Sequence, residues 1–523
     1  MHCYITRLVR LAAVPLLLGG VVSGAAAPSA WAAGGTTRLA GLDSTPAGAW
    51  VGAGTGVKQV IGDDEGYCAL FSSGRVDCWG YGLDGELGDG VFSESATPVA
   101  VVGVGGTGTL TGVASLSSDG KGMCARLTSG GVDCWGYGGD GELGDGSFAG
   151  SAVPVRVKGV GGSGVLTGVS GLASFRGTPS SASYCALLAS GHVACWGFGL
   201  YGQLGNGVFY TTGNDGSDVP VAVKGTGGAA ALTGVSSVDT MSSGGVTSYC
   251  AVLATGGVDC WGNATYGQLG NGKLYPAHQG SAVPVTVKGA GGSGTLAGVS
   301  SLTDGFLAFC AVLTSGGVDC WGDEGHGQLG NGSVSGQTAV PVKVKGAGGS
   351  GTLAGVSSLT TQQTESYCAL LTSGNVDCWG SGGGGTRSGD STVPVKVKGA
   401  GGSGALAGVA SLASTSGIFP AATYCAVLTS GGADCWGTGL DGQLGNGSFG
   451  GTSGGSTVPV KVKGAGGSGT LAGVVTVRGS LTDANFCAIV TSGRVDCWGY
   501  GQAGELGNGT TSNSDVPVAA AFP

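Results

Sequence analysis

Sixteen cysteines carry the most legible chemistry in this sequence. They form pairs ten positions apart: Cys68 and Cys78, Cys124 and Cys134, Cys185 and Cys195, Cys250 and Cys260. The series continues with Cys310 and Cys320, Cys368 and Cys378, Cys425 and Cys435, Cys487 and Cys497. Cys3 stands apart, ahead of the first apolar run. Paired thiols with no remainder read as disulfides made in an oxidising compartment. Zinc is the weaker reading, because zinc sites use more closely spaced cysteines. Other chemistry is sparse. His192, His278 and His326 lie in different parts of the chain, and none has a second histidine four positions on. Gly451-Thr-Ser-Gly-Gly455 matches a serine-nucleophile string, but it sits in a Gly/Ser run and not at a strand-to-helix elbow. Acidic turns at Asp84 to Asp89 and Asp140 to Asp145 could attract calcium, but read more simply as solvated turns. No catalytic residue, cofactor site or metal site is expected.

The cysteines also reveal the elements that hold them. From Cys68 to Cys487 is 419 residues over seven steps, about 60 per step. A fixed period in that range means a solenoid, a propeller or an array. Each unit has the same grammar, clearest in the sixth. Val356-Ser-Ser-Leu359, Tyr367-Cys-Ala-Leu-Leu371, Val376-Asp-Cys-Trp-Gly380 and Val393-Pro-Val-Lys-Val397 are short apolar stretches separated by turn residues. Four short strands per unit predict a propeller blade, and the lack of any helical period excludes a helical solenoid. With strands lettered A to D, strand D suits the outer edge. Its Pro is expected at the strand start, and its Lys residues alternate with Val. If the B–C hairpin is centred on Ser373, Cys368 faces Cys378 directly, at a separation suited to a disulfide. The Trp of each Cys-Trp-Gly, such as Trp135, Trp196 and Trp321, reads as core between blades, not as a ligand platform.

The chain's beginning has a different character. Arg7 and Arg10 precede an apolar run from Leu11 to about Val22, and Ala30-Trp31-Ala32 resembles a cleavage site. Residues 1–32 therefore read as a secretory signal peptide, 33–56 as an N-terminal segment, and 57–523 as a propeller of eight repeats. Lys+Arg is 22 against Asp+Glu 31; removing Arg7 and Arg10 moves the balance from −9 to −11. So acidic a protein gains nothing from phosphate counterion release, which argues against nucleic acid. No later stretch is suited to membrane insertion. Gly at 117 of 523 residues fits a chain of many tight turns.

The string Cys-Trp-Gly followed by Gly-x-Leu-Gly-Asn/Asp-Gly resembles the regulator-of-chromosome-condensation repeat. It stands here as Trp261-Gly262 with Gly267-Gln-Leu-Gly-Asn-Gly272, and as Trp436-Gly437 with Gly442-Gln-Leu-Gly-Asn-Gly447. The resemblance runs through nearly all of the chain after the signal segment, residues 1–32. It implies a β-propeller of four-stranded blades, here of the secreted bacterial, cysteine-paired type. The best-known members have seven blades, whereas this sequence counts eight. The alternative is seven plus an accessory segment, because the sixth unit reads Ser381-Gly-Gly-Gly-Gly-Thr-Arg-Ser-Gly389 and lacks the Leu-Gly-Asn-Gly turn. The family's nuclear exchange activity is not carried over to an exported, acidic chain. A secreted inhibitor of β-lactamases with this propeller type is an architectural analogy only.

These readings converge on an all-β, eight-bladed propeller that is secreted, extracellular, monomeric and not an enzyme. Its function is expected to be binding of an extracellular protein or glycan through one loop face. The alternatives are an extracellular enzyme or enzyme inhibitor using the propeller face, or a structural cell-surface component. In a four-stranded meander the A–B and C–D loops share one end, and the B–C and D–A loops the other. The B–C and D–A loops are nearly uniform, while the A–B and C–D segments differ between units. The C–D segments also carry Phe92, Phe148, Phe209, Tyr210, Tyr275 and Phe449, the expected partner-binding residues.

Overall fold

The structure is a computed structural model. It describes residues 56–523 apart from 176–181, 212, 244–245, 363–364, 383–388, 417–421, 451–453 and 481–482. The proposed signal peptide and cleavage site therefore lie outside the described residues, as does most of the Gly451–Gly455 match.

Eight four-stranded antiparallel sheets follow one another along the chain, each in simple A-B-C-D order. In blade 1, A is Val57–Gly62, B is Gly66–Phe71, C is Val76–Gly80 and D is Ser95–Ala100. The remaining blades span 113–156, 169–222, 235–286, 299–343, 356–396, 409–461 and 474–519. Eight blades is thus the observed count, and the sixth unit forms a full blade. Short strands with alternating small and apolar residues, punctuated by Gly turns, favour this meander over longer-range pairings. Strand A of each blade touches strand A of its neighbours, and that of blade 1 touches that of blade 8. Strand A is therefore innermost and strand D outermost. No helix of the described residues is long and apolar enough to cross a membrane.

The cysteines sit directly opposite one another in every B–C ladder, as in Cys68↔Cys78 and Cys368↔Cys378. All eight pairs are disulfide-bonded, with Cα–Cα distances of 4.0 to 4.1 Å. Each bridge closes one short hairpin and contributes about 2–3 kcal/mol.

Strand D departs from expectation. It begins earlier than its Pro, which falls inside the strand, as Pro98 does within Ser95–Ala100. The reason lies in the pairing. Cys78 pairs with Val99 and Gly80 with Ser95, so a bulge absorbs the extra residues between them. Within that bulge, on an outer strand, a Pro removes no ladder hydrogen bond.

The joints between blades rest on one repeated device. Every Cys-Trp-Gly tryptophan is fully buried and packs beside the aromatic, or the Met123, that precedes the first cysteine of its own blade. Tyr249 and Trp261 stack at 5.9 Å, and Tyr367 and Trp379 at 5.8 Å. The Trp indole N–H then crosses to the preceding blade. Trp135 donates to the Glu86 carbonyl at 2.8 Å, Trp261 to Gln203 at 2.9 Å and Trp321 to Gln268 at 2.7 Å. At seven of the eight joints the acceptor belongs to the Gly-x-Leu-Gly turn; Trp436 has no partner among the described residues. That turn needs its second Gly: Gly330 has φ +63°, and a Cβ there would sit 2.8 Å from Val344 and 2.9 Å from the Trp379 indole. Trp79 donates to Glu505 at 2.9 Å, and Tyr67 to Asn485 at 2.7 Å, which closes blade 1 on blade 8 without strand exchange. Phe522 packs edge-on against Trp79 at 5.5 Å at the same closure.

Candidate functional site

The C–D connection has two halves with different tasks. Its first half is the Gly-x-Leu-Gly turn, whose Leu is buried in the joint. Its Gln or Glu side chain also folds back on the local backbone, as when Tyr201 N–H donates to Gln203 Oε1 at 2.8 Å. The second half, after Asn/Asp-Gly, returns over the surface and varies from blade to blade. Nearly all exposed large apolar side chains among the described residues lie in C–D connections; Val160, Val165 and Val395 are the exceptions.

The six expected aromatics separate into two kinds. Phe92, Phe209 and Phe449 are exposed by 57%, 44% and 47%. Phe148 is half-buried. Tyr210 and Tyr275 pack against the core clusters, and their hydroxyls accept hydrogen bonds from Asn206 at 3.0 Å and Asn271 at 3.1 Å. These two tyrosines hold their loops in shape. The six do not converge on one spot, because they are spread over five blades.

One of them does line a groove. Leu200, Tyr201, Phe209, Thr211, His278 and Gln279 bound an open, largely apolar depression between blades 3 and 4. Tyr201 stacks on His278 at 5.6 Å and meets Phe198 edge-on at 5.8 Å. The Phe209 ring rests against Gly202, where a Cβ would come within 2.9 Å of it. Sequence reasoning found Phe209 but missed Tyr201 and His278. They are brought together only across the blade joint, and no local pattern marks them.

The same end of the ring is acidic. Burial raises the Asp140 carboxyl to about 6, and the charges of Asp215 and Asp119 add to this. Burial likewise pushes Glu86 and Glu142 well above the usual carboxylate range, with Asp84 and Asp63 acting on the first and Asp119 and Asp140 on the second. Glu505 rises to about 7, chiefly through burial, with Glu65 adding repulsion. An arc of mutually repelling carboxyls therefore runs from blade 8 through blades 1 and 2 to blade 3. Lys121 lies within it, paired with Asp84 at 3.0 Å. Lys158, Lys224, Lys288, Lys345, Lys398 and Lys463 repeat at one position just after strand D of successive blades. Lys158, Lys224, Lys345 and Lys463 reach back to their own C–D connections, where a Cβ at Gly146, Gly207, Gly332 or Gly447 would come within 2.7 to 2.9 Å of the ammonium nitrogen.

His326, in the blade 5 turn, reaches blade 6 instead. Its Nδ1 lies 3.1 Å from Asp390 and its Nε2 3.4 Å from Glu365. This contact was also invisible in the sequence, because its partners come from the next unit. Among the described residues, no group of three or more His, Cys, Asp or Glu is placed to hold a metal ion.

No family model matches the chain. It is similar to human E3 ubiquitin-protein ligase HERC2, 30% identical over 267 residues, 51% of this chain and 5% of that protein. It is also similar to the Ultraviolet-B receptor UVR8 of Arabidopsis thaliana, 26% identical over 291 residues, 55% of this chain and 58% of that one. The chain thus spans only part of the length of these relatives. Among solved structures, Saccharomyces cerevisiae Prp20p aligns with a TM-score of 0.50 at 18% identity, covering 79% of this chain and 90% of that one. Human WBSCR16 aligns with a TM-score of 0.50 at 18% identity, covering 78% and 97%. The sequence similarity to HERC2 and UVR8 is in keeping with the repeat that this chain resembles. At such identities the structural likeness shows the fold alone.

Proposed function

We propose that this chain is an exported binding scaffold that engages an extracellular protein or glycan through the A–B/C–D end of its ring, acting as a monomer and without catalysis. One observation carries the reading. The two ends of the same repeated blade differ: one is uniform, and the other bears varied connections with exposed aromatics on a disulfide-stapled frame. Variable loops on a rigid scaffold are where recognition is usually built. Prp20p, which shares the fold, is described by its binding to Gsp1p and histones, in keeping with protein recognition by such a scaffold. The signal-like start and the eight disulfides support export.

The test uses the secreted protein immobilised on beads and exposed to culture medium and cell surfaces. Phe209 and Phe449 are the side chains to change, since Tyr210 and Tyr275 also hold their loops. The Phe209→Ser, Phe449→Ser double variant should lose the captured partner while melting within a degree or two of the parent. Capture that survives this change, and is lost only on substitution in the uniform D–A loops, would place the site at the other end.

A further inference from the structure

We infer that Asn508 is a site of self-modification: it sheds its side-chain amide as ammonia and becomes aspartate or isoaspartate, at a rate set by the joint between blades 8 and 1. Asn-Gly follows the Gly-x-Leu turn in five C–D connections, at Asn206, Asn271, Asn331, Asn446 and Asn508. A glycine carries no Cβ to shield the peptide nitrogen that follows each Asn. That nitrogen can attack the Asn side-chain carbonyl carbon. A C–N bond forms, the bond from that carbon to Nδ2 breaks, and ammonia leaves with the glycine's proton. Water then opens the five-membered imide. Attack at the side-chain carbonyl gives aspartate, and attack at the backbone carbonyl gives isoaspartate. Nothing is oxidised or reduced, and water is the only co-reactant.

The fold withholds the attacking nitrogen. Each of these glycines donates its N–H to strand D of the next blade: Gly207 to Ala282, Gly272 to Ala339, Gly332 to Thr392, Gly447 to Asp515 and Gly509 to Ala96, all at 2.8 Å. The reaction therefore waits for a joint to open, and two features single out Asn508. The first is its side chain. Asn206 and Asn271 donate Nδ2 to Tyr210 and Tyr275, and Asn331 donates to Glu324. The Asn446 loop runs through residues 451–453, outside the described residues. Asn508 Nδ2 donates to no described group. Its Oδ1 accepts two bonds from Thr510, from the N–H at 3.1 Å and from the hydroxyl at 2.8 Å. Donors on that oxygen stabilise the charge it gains as the carbon is attacked.

The second feature is the joint. Between consecutive blades a buried leucine of the D–A connection donates its N–H to the residue after strand D, as Leu110 does to Val101 and Leu406 to Val397, both at 2.9 Å. Blades 8 and 1 are not consecutive in sequence, and no described D–A connection crosses their joint. Ala520, at the Val101 position, accepts no such bond among the described residues. Half-buried Phe522 packs on Phe71 and Trp79 instead. Opening this joint breaks less packing, so Gly509 is released more often than Gly207, Gly272 or Gly332. The product fits the turn. Asp89 and Asp145 hold the same position in blades 1 and 2, their Oδ1 accepting Val91 N–H at 3.1 Å and Ser147 N–H at 3.0 Å. Aspartate at 508 keeps that turn and adds a negative charge to the A–B/C–D end. Isoaspartate lengthens the backbone and displaces the Gly509 N–H from Ala96.

The test ages the purified full chain, disulfides intact, in mildly alkaline buffer and maps its peptides by mass spectrometry. Asn508 should gain one dalton about tenfold faster than Asn206, Asn271 or Asn331, and give both isomers. Thr510→Val, which removes the hydroxyl donor, should slow Asn508 about threefold. Phe522→Ala, which loosens the joint, should speed Asn508 about fivefold and leave the other three unchanged. Hydrogen exchange of the parent gives an independent readout: the Gly509 amide should exchange faster than those of Gly207, Gly272 and Gly332. Should Phe522→Ala fail to fold, the parent's exchange rates and Thr510→Val decide. Equal conversion at the four asparagines, or none at Asn508, overturns the site. Conversion at Asn508 that ignores Phe522→Ala, or that proceeds while the Gly509 amide is as protected as the others, overturns the control by the joint.

Discussion

Trp321 and Trp436 occupy the same position two blades apart, yet their joints are built differently. Trp321 donates its indole N–H to Gln268 of blade 4 at 2.7 Å. Trp436, equally buried, has no hydrogen-bond partner among the described residues. Blade 6 is the unit without the Gly-x-Leu-Gly string, the turn that supplies the acceptor carbonyl at the other joints. Tyr424 still pairs with Ser366 across that joint at 2.7 Å, so the second inter-blade bond survives. A third version occurs where Glu replaces Gln, as at Glu505. The three versions show how labour is divided along one connection. The first half of each C–D connection belongs to the joint, and only the second half is available for recognition.

The largest expected effect comes from removing the indole altogether. Trp321→Ala leaves a cavity in the joint and an unpaired Gln268 carbonyl, and should cost about 3–5 kcal/mol. Trp436→Ala leaves the cavity without that carbonyl, and should cost about 1 kcal/mol less. Urea unfolding with the disulfides intact, followed by both fluorescence and circular dichroism, measures each. Equal losses would mean that blade 6 supplies an equivalent acceptor.

The Glu version of the joint adds a dependence on pH. Glu505 ionises at about 7 in the folded chain, because burial disfavours its carboxylate, against an ordinary value of 4.5. A raised folded value means that stability is fullest below about 4.5 and falls as pH rises through about 7. Glu505→Gln keeps the back-bond to Ala503 N–H, which Glu505 accepts at 2.8 Å, and removes the ionisation. The variant should therefore match the parent at pH 4 and exceed it by about 2 kcal/mol at pH 8. Melting temperatures at the two pH values decide it; a gain of equal size at both would exclude ionisation as the cause.

Much of this was legible beforehand, for a physical reason. The Cys-to-Cys spacing fixes a B–C hairpin by itself, since both partners lie on adjacent strands of one short loop. Eight copies of that hairpin give the blade count, and the Trp beside each second cysteine gives the core between blades. Those features are local, and repetition amplifies them. The Pro of strand D misled because a bulge is set by pairing with strand C, which the Pro's own neighbourhood does not encode. The candidate site was legible only in outline. Loop variability marked a set of aromatics to inspect, but it could not separate exposed Phe209 from Tyr210, which bonds Asn206. Nor could it bring His278 to Tyr201, or His326 to Glu365, because these contacts join different units.

The smallest expected effect isolates the hydrogen bond from the packing. Replacing Trp by Phe keeps an aromatic ring in the joint and removes the N–H. At Trp321 the loss strands the Gln268 carbonyl in a dry site, and an unsatisfied buried acceptor costs about 1–2 kcal/mol beyond the smaller ring. At Trp436 the same change removes a donor that has no described acceptor, so only the difference in ring size is felt. The packing term is common to both, since Tyr424 stacks on Trp436 at 5.7 Å much as Phe309 does on Trp321 at 5.8 Å. Subtracting one loss from the other therefore leaves the hydrogen bond alone. Trp436→Phe should be the milder change by about 1 kcal/mol. Hydrogen exchange gives a second readout: Trp321→Phe should speed exchange in blades 4 and 5 more than Trp436→Phe does in blades 6 and 7. If Trp436→Phe proves as costly, the joint between blades 6 and 7 is closed by a hydrogen bond after all, and blade 6 is not the weak link of the ring.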